Sequence, residues 1–257
     1  MSIYQHFRPE EKEFIDQSLG WKEYVETSYA PKLTDFLDPR EQQIVKMIVG
    51  EHSGVKLRLF GGTEGTERKR ALLYPEYFTP DEEEFSITLF EIHYPSKFVS
   101  IEHPQILGSL MALGLKRGKF GDITVQGERA QFFVSQEIED YVSMQLESIG
   151  KASVTLKKLP LEKAIAANDS WEESSASVSS LRLDAVISAI YNISRQKSQL
   201  FVQQGLVKVN WGQVEDPSFV CGEADVLSVR GKGRSKIIEV EGKTKKDKWR
   251  IITGKQK

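Results

Sequence analysis

The chain has 257 residues, of which 39% are hydrophobic and 28% are charged, a balance typical of folded, water-soluble proteins. It contains no run near the ~18 apolar residues of a membrane span, and its start lacks the apolar core of a signal peptide, so we expect a cytoplasmic protein without a membrane partner. The single cysteine, Cys221, excludes an internal disulfide and fits a reducing compartment.

The net charge of −2 hides an uneven distribution along the chain. Residues 181–257 contain 15 Lys and Arg against 8 Asp and Glu, a net charge of +7, and the other residues have a net charge of −9. This asymmetry predicts that the C-terminal part binds a polyanion. A solvated basic tail is the alternative interpretation.

The first 80 residues predict a small α+β domain. Apolar residues recur at helical spacing in Pro9–Tyr24 and Pro39–His52. Residues 55–60 and 68–74 have strand-like composition and are joined by the glycine-rich segment GGTEGTE.

Residues 81–167 predict a central domain in the order strand, helix, strand, strand, helix, strand, which is the ferredoxin-like order that RNA-recognition motif (RRM) domains also use. The second of the two helices is expected to follow Ser135 as its N-cap. Phe132 and Phe133 are adjacent in a strand and therefore face opposite sides, so one of them could stack on a base.

The segment Asn168–Ser180 contains six serines and little to bury. We expect it to be a flexible linker between the central domain and a C-terminal domain at residues 181–257.

The C-terminal domain opens with a helix–turn–helix–strand pattern. Leu183, Val186, Ile187, Ile190 and Tyr191 form one amphipathic stripe, with Ser180 as the expected cap. Ser194 is the expected N-cap of the next helix. Gly205 is placed to end that helix in a Schellman motif, with Phe201 and Leu206 as its apolar contact. A hairpin around the sequence GKGR follows.

Long basic and polar side chains of this domain are the expected RNA contacts, since they can donate to phosphate. They are Arg182, Arg195, Lys197, Ser198, Lys208, Asn210, Arg230, Lys232, Arg234 and Lys236. Basic residues in the earlier domains are candidates for a secondary RNA contact, with a solvated charged loop as the alternative. They are Arg68, Lys69, Arg70, Lys116, Arg117 and Lys119.

The pattern from Arg182 to Arg234, with the run SRQKSQLFVQQGLVKVN at its centre, resembles the S4 RNA-binding domain. The segments LGWKEYVETSYAPKLTDFLDPREQ, FGGTEGTERKRALLYPEYF, HPQILGSLMALGLKRGKFGDI and VSSLRLDAVISAIYNISR extend the resemblance to the YlmH family of bacterial S4 proteins. The resemblance implies structured RNA as the ligand, namely ribosomal RNA and tRNA on the large ribosomal subunit after stalled translation. It also implies a link to cell division, and we expect a monomer.

No catalytic residue, cofactor or metal site is expected. Some S4-bearing pseudouridine synthases use an aspartate in a short motif similar to Arg182–Asp184, but here Asp184 fits the first turn of a helix. The segment GGTEGTERKR lacks the spacing of a phosphate-binding loop, and the four histidines are scattered. An RNA-modifying enzyme of the pseudouridine synthase or methyltransferase type, and a cell-division adaptor protein, remain the alternatives.

Overall fold

The computed structural model describes Phe7 and residues 11–50, 54–166, 171–244 and 247–256. The chain divides into two compact units, residues 1–167 and 168–257, and each combines helices with β-sheet. The α+β fold class predicted from the sequence is confirmed. Among the described helices, none has the length and apolar character that a membrane crossing requires.

The first unit begins with two helices beside a small antiparallel sheet. The elements are α1 (Lys12–Ser28), β1 (Lys32–Leu37), α2 (Pro39–Val49), β2 (Val55–Phe60) and β3 (Lys69–Pro75), with the strand order β1–β3–β2. The start of α2 is sharply defined because Asp38 and Glu41 form a capping box around Pro39. Val25 of α1 and Val45 of α2 pack with Leu73 in a shared core.

The sequence prediction differs from this part of the structure at three places. α1 runs to Ser28 rather than Tyr24, and the predicted start at Pro9 lies outside the described residues. α2 ends at Val49, and His52 also lies outside the described residues. The prediction omits β1, a short segment of mixed polarity that becomes a strand by pairing with β3, which is distant in the sequence.

The second part of this unit is the ferredoxin-like fold that the sequence predicts. Its elements are β4 (Ile87–His93), α3 (His103–Ala112), β5 (Phe120–Gln126), β6 (Arg129–Ser135), α4 (Glu139–Gln145), β7 (Ser148–Ile149), β8 (Ala152–Ser153) and β9 (Thr155–Leu159). The sheet order is β5–β6–β4–β9, with antiparallel neighbours. Ile106 and Leu110 of α3 and Val142 of α4 pack against one face of the sheet.

The expected N-cap of the second helix is wrong. α4 begins at Glu139 after a short 3₁₀ turn, and its N-cap position is Ile138. Ser135 is instead the last residue of β6, where it pairs with Ile87 of β4. The sheet pairing therefore overrides the local capping preference of serine.

The other face of this sheet is covered by the N-terminal elements. Leu89 and Phe133 cluster with Phe36 of β1. A Cβ atom at Gly62, which has a φ of 103°, would overlap the ring of Phe133, and one at Gly121 would lie 2.8 Å from Phe36 Cε1. The boundary expected at residue 80 is therefore a boundary between two sheets that pack closely inside one compact unit.

The second unit places two helices on a six-stranded antiparallel sheet. Its elements are β10 (Trp171–Val178), α5 (Leu183–Tyr191), α6 (Arg195–Gln203), β11 (Val207–Val209), β12 (Gly212–Gln213), β13 (Val226–Val229), β14 (Gly233–Lys243) and β15 (Trp249–Gln256). The strand order is β10–β15–β14–β13–β11–β12. Val186 of α5 and Val202 of α6 share a core with Ile237 and Ile251 of the sheet.

The serine-rich segment is a strand for most of its length. Residues 171–178 form β10 and pair with β15 from Trp171↔Gln256 to Val178↔Trp249. Ala176 and Val178 pack on the core of the unit. The expectation of a flexible linker is therefore wrong for these residues, because a distant strand supplies the backbone partners; residues 168–170 lie outside the described residues.

The termini of the two helices follow the sequence prediction at α6 and depart from it at α5. The Ser194 hydroxyl accepts from Lys197 N, and the N–H groups of Gly205 and Leu206 donate to Val202 O and Phe201 O, which are the two bonds of a Schellman motif. Gly205 has the required positive φ of 68°. By contrast, the N-cap position of α5 is Arg182, so the prediction for Ser180 is wrong.

Candidate RNA-binding surface

The first turns of α5 and α6 meet around one buried carboxylate. Asp184 is 0% exposed. Its oxygens accept from Arg182 Nε at 3.2 Å, from Arg195 Nε at 3.0 Å and from Gln199 Nε2 at 2.9 Å. The side chains of Arg182 and Arg195 nevertheless remain 41% and 49% exposed. A single aspartate therefore fixes two arginines at the surface of the unit, which we call the arginine pair.

The electrostatics of this cluster keep Asp184 ionised. Burial by itself would raise the pKa of this carboxyl, but hydrogen bonds from Arg195, Gln199 and Arg182 outweigh burial and hold its pKa below the ordinary value. Two guanidinium groups against one carboxylate leave the cluster with a net positive charge. The interpretation of Asp184 as a carboxylate in the first turn of a helix is confirmed.

The strands after α6 carry cations on the face that points away from the helices. Val207 and Val209 are buried, and Lys208 between them is exposed. Lys208 lies opposite Ser228 of β13, and Ser228 lies opposite Arg234 of β14. Residues that are directly opposite in a sheet share a face, and so do residues two apart on one strand. Lys208, Arg234 and Lys236 therefore share one face, which we call the basic sheet face.

The turn between β13 and β14 presents two further cations. Arg230 and Lys232 are both exposed, and the neighbouring Gly231 and Gly233 adopt positive φ values of 76° and 89°. Arg230 N donates to Leu206 O, which ties this turn to the end of α6. The hairpin around GKGR is confirmed as a structural element.

Lys197 is the remaining basic residue of the expected set, and it lies on the exposed surface of α6. Its ammonium group lies 5.8 Å from the centroid of the Phe201 ring. This contact covers the ring of Phe201 and leaves the charge accessible to a ligand.

Two of the expected RNA contacts are instead parts of the fold. Ser198 is fully buried, and its hydroxyl donates to Ser194 O. The amide of Asn210 donates from Nδ2 to Asp225 Oδ1 and accepts from Val226 N through Oδ1. We correct both expectations, because Ser198 is not at the surface and the side chain of Asn210 fixes a turn.

The structure also reassigns three of the expected secondary contacts, because their donors satisfy groups inside the first unit. Arg70 is 3% exposed and donates to Thr34 O, Phe85 O and Ser86 O, and burial lowers its pKa. Arg117 donates to Phe120 O and Gly121 O. Lys119 donates to Asp35 at 2.7 Å and also to Glu137.

The other three secondary candidates lie nearer to solvent. Arg68 is partly buried, and one of its terminal nitrogens donates to Phe36 O. Lys69 is partly exposed at the start of β3, and Lys116 is exposed before β5. Arg68, Lys69 and Lys116 remain predictions for a secondary RNA contact.

The suggestion that Phe132 or Phe133 stacks on a base is wrong for this conformation. Phe132 is 0% exposed and packs under the helices, and Phe133 is 3% exposed beneath Phe36. The sheet face that RRM domains use for RNA is therefore occupied by this chain's own N-terminal residues.

Two residues of the candidate RNA-binding surface are missing from the contacts predicted from the sequence. Gln199 anchors Asp184, and its spacing of four residues from Arg195 on one helix is the signal for this role. Trp211 lies 5.8 Å from the guanidinium carbon of Arg234. Its signal is the pair Asn-Trp at a hairpin turn, where Asn-Gly is the usual pair.

Comparisons with known proteins place these features in a family. Residues 80–163 match the model described as "Putative RNA-binding domain in YlmH", and residues 181–227 match the S4 domain. The ribosome-associated protein quality control protein P2 of Bacillus subtilis is 51% identical over 255 residues, which is 99% of each chain. A solved structure, cell division protein ylmH from Streptococcus pneumoniae, is 38% identical with a TM-score of 0.55, covering 64% of this chain and 99% of that one.

The extent of these matches decides the family. A relative at 51% identity covers almost the whole chain, and the two domain matches coincide with the ferredoxin-like fold and with the unit that carries the arginine pair. The chain therefore belongs to the YlmH family, with that family's RNA-binding domain followed by an S4 domain.

Proposed function

We propose that this protein binds ribosomal RNA and tRNA on the large ribosomal subunit, in the cytoplasm, during quality control of stalled translation. The observation that carries the proposal is the arginine pair held by Asp184 in a region of net charge +7. Fixed guanidinium groups suit phosphate because little side-chain freedom is lost on binding. The name of the 51% identical relative, a ribosome-associated quality control protein, supports the choice of ligand.

The recognition mode that we infer is shape and charge rather than base sequence. Lys208 and Lys197 are exposed at separate places on the unit, so contacts can follow the phosphates of a folded RNA. Each phosphate contact should contribute about one unit to the salt dependence of the binding constant.

We further propose that the protein acts without catalysis and as a monomer. If the protein were a pseudouridine synthase, Asp184 would be the candidate catalytic aspartate. Both of its carboxylate oxygens, however, accept hydrogen bonds from the arginine pair and Gln199. A catalytic carboxylate has to reach its substrate, whereas this one is buried below side chains that themselves face the solvent.

The test is sedimentation of the tagged full-length protein with ribosomes, compared with Lys197→Glu/Lys208→Glu/Arg230→Glu. These three side chains are exposed, so charge reversal should leave the fold intact. The matched control is Lys97→Glu/Lys151→Glu/Lys157→Glu, which changes the net charge equally on exposed lysines of the first unit. We expect the wild type and the control to migrate with large subunits and the first variant to stay near the top of the gradient.

Two results would contradict the proposal. Wild-type protein that remains at the top of the gradient at low salt would remove the ribosome as a partner. Equal co-migration of both triple variants would mean that Lys197, Lys208 and Arg230 are not the contact. Arg195→Ala is a poorer probe because it also removes a partner of buried Asp184.

A cell-division adaptor is the second candidate, favoured by the name of the 38% identical structural relative. In that case a division protein should be captured equally by the wild type and by the first triple variant. Capture of ribosomal subunits by the wild type alone would argue against the adaptor.

A further inference from the structure

The hairpin turn between β11 and β12 contains an unusual residue. Val209 pairs with Gly212, so Asn210 and Trp211 are the two turn residues, and their φ values are 48° and 65°. Two positive φ values are the signature of a type I′ turn, which strongly prefers glycine after asparagine. A bulky residue in the left-handed region costs roughly 1–2 kcal/mol. The turn therefore keeps a tryptophan where the backbone would favour glycine.

Packing in the core does not account for this tryptophan. Among the described residues, the partly buried apolar side chains that pack against the core of the second unit include Phe219 and Trp249 but not Trp211. Trp211 is itself partly exposed. An indole buries about 150–250 Å² when it is fully enclosed in a protein interior, whereas Trp211 keeps part of its surface open to solvent.

The surroundings of Trp211 are cationic. The guanidinium carbon of Arg234 lies 5.8 Å from the centroid of the Trp211 ring, a cation–π distance. Arg234 belongs to the basic sheet face together with Lys208 and Lys236. An aromatic ring in contact with an arginine, whose sheet face also carries two lysines, combines a flat apolar surface with partners for phosphate.

We infer that Trp211 is a stacking platform for an unpaired RNA base, an inference that rests on the proposed RNA-binding function. Arg234 orders the ring, and Lys208 and Lys236 meet the phosphates beside the stacked nucleotide. Stacking on an aromatic side chain tolerates any base because every base has a π-face. Stacking of this kind agrees with recognition of RNA shape rather than sequence. It requires an unpaired base, so the second unit should prefer RNA loops and bulges to continuous duplex.

The charge pattern favours RNA over a protein partner for this site. Arginine and tryptophan are common in protein–protein interfaces, but lysine is depleted there, so the lysines decide between the two kinds of partner. Here the aromatic ring has an arginine in contact and lysines on the same sheet face. That arrangement resembles the sites for single-stranded nucleic acid, which combine a basic surface with stacking rings.

The decisive variant is Trp211→Gly, since it removes the ring and supplies the residue that a type I′ turn prefers. We expect its melting temperature to stay within a few degrees of wild type, because relief of backbone strain offsets the lost cation–π contact. Trp249→Phe is the matched control, because it removes a tryptophan that packs on the core.

Affinity is measured for two synthetic RNAs, a stem with an unpaired loop of mixed sequence and a blunt duplex with the same number of phosphates. We expect Trp211→Gly to lose about 5- to 150-fold in affinity for the stem-loop, the range expected for one stacked base, and to bind the duplex as the wild type does. Stem-loop RNA should also quench a component of wild-type tryptophan fluorescence that is missing in Trp211→Phe and retained in Trp249→Phe.

Failures of the two ideas are distinguishable. If Trp211→Gly binds both RNAs with wild-type affinity, the stacking platform is refuted while RNA binding by the unit stands. If the wild type binds neither RNA at moderate salt, the proposed function and the platform fall together.

Discussion

Replacement of Asp184 by asparagine tests the cluster on which the proposed RNA surface depends. Asparagine has nearly the same shape, but it removes the negative charge and places an amide donor where an oxygen now accepts from Arg195 and Gln199. The variant therefore leaves a buried donor facing other donors. The two arginines that we propose as phosphate contacts would lose their anchor at the same time.

The size of the effect follows from the hydrogen bonds that three side chains donate to a carboxylate that is 0% exposed. Hydrogen bonds to charged groups contribute roughly 1.5–3 kcal/mol each. Arg182 and Arg195 are 41% and 49% exposed, so water can replace much of their share. We expect the free energy of unfolding of the second unit to fall by about 2–4 kcal/mol.

The assay is urea unfolding followed by tryptophan fluorescence in a Trp21→Phe background. The chain has four tryptophans, and the three others, Trp171, Trp211 and Trp249, all lie in the second unit. With an m-value of about 1–2 kcal/mol/M, the midpoint should fall by roughly 1–4 M in the variant. Asp184→Asn in the same background is compared directly with Trp21→Phe alone.

The pH dependence of the free energy of unfolding tests the same cluster independently. The folded-state pKa of Asp184 is lowered, so its contribution to stability is present above the unfolded-state pKa of about 3.9 and is lost as the pH falls through the folded-state value. The difference between Asp184→Asn and its reference should therefore shrink below about pH 4. A variant as stable as the reference at pH 7, or a difference that persists unchanged at pH 3, would refute the argument.

Three further predictions concern the fold. Gly62→Ala should destabilise the first unit by about 2–4 kcal/mol in thermal unfolding, because Gly62 has a positive φ and an added Cβ would overlap Phe133. Gly108→Ala, at an exposed position of α3, should instead stabilise the unit by about 0.5–1 kcal/mol. Equal melting temperatures for the two variants would contradict this prediction. Arg70→Ala should lower the free energy of unfolding by about 3–5 kcal/mol and leave the RNA affinity of the folded protein unchanged. Weaker RNA binding by the fully folded variant would restore Arg70 as an RNA contact. Burial raises the pKa of the Cys221 thiol to about 12, so a thiol reagent at pH 8 should label it only after urea unfolding; rapid labelling of native protein would show that the site opens.

Local signals in the sequence were sufficient for α6 and the strand that follows it. The N-cap at Ser194 and the Schellman motif at Gly205 depend on residues within one or two turns of each other, so spacing alone predicts them. The alternation from Val207 to Val209 likewise places Lys208 on the exposed face without reference to the rest of the chain. The ferredoxin-like order of the central elements came from the same kind of periodicity.

Tertiary structure decided which cations face solvent and which segments become strands. Arg70 and Lys119 look like surface cations in the sequence, but they are fixed by carbonyls and carboxylates that lie 15 to 84 positions away. Residues 171–178 look like a linker, yet β15 at the far end of the chain supplies their hydrogen-bond partners. Phe133 alternates like a solvent-facing residue, and the packing of Phe36 buries it.

The physical reason for this division is the range of the interactions. Tight turns, amphipathic stripes and the cap at Ser194 are set by neighbours along the chain, so the sequence by itself determines them. Burial of a charge and pairing of an edge strand depend on groups that are distant in sequence. The local pattern of residue types does not show which distant residues will become these partners. For this protein, the sequence indicated an S4-like domain, and only the folded chain decided that Asp184 holds the arginine pair and that Trp211 contacts Arg234.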